Sequence, residues 1–178
     1  MTCRRIVLVL LAPLVSGCLF GDPKGEEISA REAPAYFAAK RAGLERVVAL
    51  VDACRPGRAG GYTVVWADGS NPEGLRCLRE GGDLPMLVTE LNRHGFVRVE
   101  YYARDRGETY DPLGPLGTVG VNVYSAGLSV SGVSIDFVHF TQPNTEPVAT
   151  ERREDGSILH ESRAVTAAPY HWFWERTT

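Results

Sequence analysis

Lysine is nearly missing from this chain: Lys24 and Lys40 are the only two among 178 residues, and the formal charge is −3. A protein that neutralises nucleic-acid phosphates needs a basic face, so nucleic acid is excluded as a partner. There is no long hydrophobic run either. The longest, Ile6 to Val15, is ten residues interrupted by Pro13, about half of what a spanning helix requires. Nor do the 19 glycines and 11 prolines form a repeat, which rules out fibrous and low-complexity chains. A length of 178 residues then points to one globular domain.

Catalytic signatures are missing in the same way. Gly127-Leu128-Ser129-Val130-Ser131 has serine where a nucleophile elbow needs its second glycine. No H-E-x-x-H, S-x-x-K or Walker loop occurs. Gly114, Gly117 and Gly120 are followed by strand-like sequence, whereas a phosphate cradle opens a helix. Of the four histidines, His94 belongs to the last turn of a helix and His139 follows Ile135 and Phe137 along one strand face. Asp136 falls on the other face, so no local acid–base dyad forms. The expectation is no enzyme, no cofactor and no metal site, unless a pair assembles in three dimensions.

The N-terminus is informative. Arg4 and Arg5 precede the apolar stretch, and small Ser16 and Gly17 precede Cys18, the layout of a secretory signal. Val15-Ser16-Gly17-Cys18 resembles the lipobox of bacterial lipoproteins. The resemblance implies that residues 1–17 are a signal peptide, that Cys18 becomes a lipidated N-terminus bearing a diacylglyceryl group and an amide-linked acyl chain such as palmitate, and that several chains make a stable anchor at ~0.8 kcal/mol per buried CH₂. Leu19, where an acidic residue would favour inner-membrane retention, implies the outer membrane and its periplasmic face. Removal of residues 1–17 takes Arg4 and Arg5 with it and moves the charge from −3 to −5.

Cys3 is lost with the signal and Cys18 is used by lipid, so Cys54 and Cys77 remain. In an oxidising compartment they read as a disulfide worth roughly 3 kcal/mol; the alternative is two separate buried thiols.

Residues 18–28 read as the lipidated cysteine and a tether, and 29–178 as one domain. Ser29-Ala30-Arg31-Glu32 forms a capping box ahead of Phe37, Leu44, Val47, Val48 and Val51 at helical spacing, which predicts a helix over 30–53. Asn71-Pro72 opens a short helix stopped at Gly81-Gly82. Asp83 caps a further helix in which Leu84, Leu87, Val88 and Leu91 share a face and Gly95 marks the exit. The period then changes to two: strands are expected over 62–67, 96–103, 119–124, 128–140 with a bulge at Gly132, a polar hairpin around Asp155-Gly156 that is exposed or at a sheet edge, and an aromatic end strand over 170–175. These elements predict an α+β domain with the helices on one face of an antiparallel sheet of about five or six strands.

Alternation along the end strand places Tyr170, Trp172 and Trp174 toward the core and leaves His171 and Phe173 as candidate partner-binding residues. Arg104, Arg106, Arg152 and Arg153 are candidate contacts to acidic groups, or else solvated charges. The function that fits is non-catalytic binding of a protein or glycan in the envelope by a membrane-anchored lipoprotein. Two alternatives are a periplasmic inhibitor or immunity protein against a toxin or hydrolase, and a periplasmic hydrolase.

Overall fold

A computed structural model describes residues 24–53, 61–70, 78, 81–103, 118–127, 132–144 and 146–178. Among the described residues the helices α1 (Ala33–Ala53) and α2 (Leu84–His94) accompany eight strands: β1 (Lys24–Gly25), β2 (Gly61–Trp66), β3 (Arg98–Ala103), β4 (Thr118–Ala126), β5 (Val133–Asn144), β6 (Val148–Arg152), β7 (Ile158–Ala164) and β8 (Tyr170–Thr177). The fold is α+β and the sheet antiparallel, in the order β2-β3-β4-β5-β8-β7-β6, with β1 added to β4. Eight strands correct the expected five or six. The β6–β7 hairpin adds two strands to the sheet through β8, with β6 exposed at its edge as expected, and β1 is too short to carry any periodicity.

Half of the capping box forms: the Glu32 carboxylate reaches back to Ser29, while the Glu32 N–H donates to the Ser29 carbonyl over 3.0 Å and not to its hydroxyl. The Ser29 backbone N–H donates to Glu32 Oε2 over 3.1 Å and the Ser29 hydroxyl donates to the same oxygen over 2.5 Å. Residues 30–32 are a turn, so α1 begins three residues later than periodicity suggests. Its buried face carries Phe37, Leu44, Val47, Val48 and Val51. Phe37 packs on Phe137 and Trp172, with ring centroids 6.1 and 5.3 Å apart, and Tyr36 stacks on Phe137 at 5.4 Å. Asp83 occupies the N-cap of α2, but its side chain makes no capping bond. Gly95 closes the helix at φ 73°, and Phe96 N–H returns to the Leu91 carbonyl over 2.9 Å.

The main core fills one face of the sheet with Val65, Val99, Val119, Val121, Ile135, Phe137, Trp172 and Trp174 against Leu44, Val47, Val51, Leu87 and Leu91. A smaller cluster of Val138, Phe140 and Phe173 is separate from it. Gly132 directly precedes β5, whose expected start at 128–131 lies outside the described residues, and a bulge falls at Val123, between the pairs Asn122↔Asp136 and Tyr124↔Ile135. This extra residue turns its side chain into the core and offers its carbonyl to Glu26 N–H over 3.0 Å.

Lys24 to Ile28 therefore belongs to the domain, which corrects the extent of the tether. Lys24 and Gly25 pair with Ser125 and Tyr124, Ile28 is buried, and Trp174 Nε1 donates to the Ile28 carbonyl over 2.9 Å. Gly25 sits at φ +87°, and a Cβ there would lie 1.9 Å from the Val123 oxygen; only glycine permits so close an approach. No helix among the described residues is long and apolar enough to cross a membrane.

Candidate functional site

Cys18, Cys54 and Cys77 lie outside the described residues, as do Arg104, Arg106, Ser129, Ser131, Gly114 and Gly117 and, apart from Leu78, the short helix expected over residues 71–80. The two candidate contact residues of the end strand are placed, and they differ. Phe173 is 1% exposed and packs edge-on against Phe140 at 5.2 Å, so the side opposite Trp172 and Trp174 is a second small core, and Phe173 is not an available contact. His171 is half-buried, with Nδ1 3.0 Å from the Phe140 carbonyl.

Each histidine is engaged locally. His94 stacks on Phe96 at 5.5 Å and approaches Glu90 to 3.5 Å. His139 lies 4.9 Å from Trp172 and 6.0 Å from His171, its Nδ1 buried and unpartnered. Burial holds its pKa below the ordinary histidine value. His160 is different: its Nε2 stands 3.3 Å from Glu175 Oε2, and this contact raises its pKa.

That pair is one end of a polar row which no linear motif announces. The register aligns Trp66, Arg98, Asn122, Asp136, Glu175 and Ser162 across β2, β3, β4, β5, β8 and β7. Arg98 lies 4.9 Å from the Trp66 ring centroid and donates to Glu100. Asn122, fully buried, donates to Asp136 Oδ1 over 3.0 Å and to Ser134 Oγ over 3.1 Å, while its own Oδ1 is unpartnered. The Ser134 hydroxyl donates to Asp136 Oδ2, and the Ser162 hydroxyl donates to Glu175 Oε1 over 3.2 Å.

Two carboxylates thus face each other across β5 and β8 in unlike surroundings. Asp136 loses hydration and lies near Glu100, which pushes its pKa up to about 6 despite the bonds from Ser134 and Asn122. Glu175 has a histidine and a hydroxyl as partners. The row can hold a proton near neutral pH and offers acceptors to a cationic or hydroxyl-bearing group. Among the described residues, no three His, Cys, Asp or Glu side chains are grouped to share a metal ion.

A sequence signal for this row does exist: Asn122 interrupts a valine-rich strand, Asp136 lies between Ile135 and Phe137, and Glu175 follows Trp174. Polar residues on the second face of apolar strands mark it. Which of them meet depends on register, which is set nonlocally.

Two shallow clefts lie along the entering segment, the first bordering β1 and the second the residues after it. One of about 320 Å³ is lined by Lys24, Trp66, Asp68, Asn92 and Phe96; another, of about 400 Å³, lies over Ile28, Ser29, Trp174 and Arg176. No protein-family model, curated protein or solved structure matches this chain.

Proposed function

We propose that this chain is a lipoprotein anchored through Cys18 in the outer membrane, facing the periplasm, and that it acts by binding a protein or glycan of the envelope. The observation that carries the reading is the fixed start of the domain. Six residues after the lipobox cysteine the chain is already locked to β4 at Lys24 and Gly25, so the whole domain is held close to the anchor.

The surface offered to a protein partner is the β6 edge. All five of its residues are exposed, Val148 at 49%, and it ends the sheet order. An edge with exposed backbone can accept an added strand. Crosslinking of the lipidated protein in intact cells, with a photoreactive residue at Thr150, tests this. Capture of an envelope component or a secreted enzyme supports it, the latter favouring the inhibitor or immunity form; no adduct from this edge contradicts it.

One observation favours hydrolysis as a second reading: Asp136 and Glu175 are carboxylates directly opposed across β5 and β8, Asp136 bonded by Ser134 and Asn122 and Glu175 by Ser162 and in contact with His160, and a carboxylate pair is the usual acid and base of glycoside hydrolysis. It requires peptidoglycan or another envelope polymer to be cleaved by the wild type and not by Asp136→Asn.

A further inference from the structure

The strands define two ends of the sheet. At one lie the Ala67–Ser70 segment after β2, Gly95 at the exit of α2, Gly127 after β4, and the Glu154–Gly156 turn between β6 and β7. At the other lie Ala103, Thr118, and the connection from β7 to β8 over residues 165–169. β8, eight residues long, separates the two by about 26 Å.

β1 enters at the first end. Lys24 pairs with Ser125, Gly25 with Tyr124, and Glu26 bonds to Val123, so the chain runs inward from that end. Cys18 is six residues upstream of Lys24, a reach of ~20 Å at full extension, less than the length of β8. The same end presents Trp66 between two cations, Lys24 at 5.6 Å and Arg98 at 4.9 Å from its ring centroid, the amphipathic combination that suits a headgroup layer.

We propose that the end of the sheet carrying the Ala67–Ser70 and Glu154–Gly156 segments lies against the lipid surface, with the β7–β8 connection pointing into the periplasm. This rests on the lipid-anchor reading and adds the orientation of the domain to it. The partner at this end is the bilayer itself, brought into contact by a tether too short to let the opposite end approach it.

The test uses lipidated protein carrying p-benzoylphenylalanine at Ser70, at Glu154 or at Ala167, all three exposed. Each variant is reconstituted into vesicles of phosphatidylethanolamine and phosphatidylglycerol containing a radiolabelled phospholipid, floated, and irradiated. Ser70 and Glu154 are expected to give at least fivefold more labelled-lipid adduct than Ala167, and either near-end position suffices if the other variant misfolds. Floating protein with equal adducts at both ends, or more at Ala167, overturns the orientation while leaving the anchor intact. Protein that does not float overturns the anchor reading, and the orientation with it.

Discussion

Trp174 donates its indole N–H to the carbonyl of Ile28 over 2.9 Å, joining the last strand to the segment by which the chain enters the domain. Trp174 is 1% exposed and Ile28 4%, so water cannot replace the bond. Trp174→Phe keeps most of the apolar area but leaves a buried acceptor unpaired, which costs about 1–3 kcal/mol. The expected result is a Tm lower by roughly 3–10 °C in thermal unfolding followed by circular dichroism. An unchanged Tm would mean that the bond contributes nothing.

Gly25 is the second fastening. A Cβ at this position would meet the Val123 oxygen at 1.9 Å with φ at +87°, so Gly25→Ala cannot keep β1 in place. Hydrogen exchange of the Glu26 amide, which is bonded to Val123, should accelerate at least tenfold, while the Val97 amide, bonded to Asn122, keeps its protection. Retained protection at Glu26 would show that β1 accommodates the methyl.

Gly43 lies inside α1, where glycine ordinarily costs about 1 kcal/mol relative to alanine. Its place is explained by His94: a Cβ on Gly43 would lie 2.6 to 2.7 Å from three atoms of that ring. Gly43→Ala is therefore expected to destabilise, and the same substitution in a His94→Ala background to be neutral or stabilising. Denaturant unfolding of the four proteins in this cycle gives the coupling directly. Additive effects would contradict the steric account.

The pH dependence has a worked sign. Asp136, raised to about 6 from an unfolded value near 3.9, binds its proton more tightly when folded, so stability falls as pH rises from about 4 to about 6 and then levels. His160, also raised, adds stability below about 6.5 that is lost as pH climbs through its folded value. His139, lowered, acts oppositely: its cost appears as pH falls below about 6.5. Asp136→Asn should flatten the slope between pH 4 and 6 and add up to about 3 kcal/mol at pH 7, read by urea unfolding across pH. A slope unchanged by that substitution would remove Asp136 from the account.

What could be read ahead of the structure was local chemistry. Ser29 and Glu32 are three residues apart and hydrogen-bond to each other just ahead of α1, and Gly95 ends α2 because glycine adopts φ 73° without strain. The alternation of Trp172, Phe173 and Trp174 was equally legible, but its meaning was not. Val138, Phe140 and Phe173 form a second core because β5 and β8 are paired, and pairing is fixed by contacts far apart in sequence. The same holds for Asp136 and Glu175, 39 positions apart and directly opposed. β1 had no signal at all: two exposed residues are held by a bulge in β4 that glycine content did not locate.

The central claim is that Cys18 carries the anchor. Cells fed radiolabelled palmitate and expressing the full chain or its Cys18→Ala variant decide it in one measurement, label incorporated into the immunoprecipitated protein. The account predicts strong incorporation into the full chain and none into the variant; undiminished labelling of Cys18→Ala, or an unlabelled full chain, would contradict it.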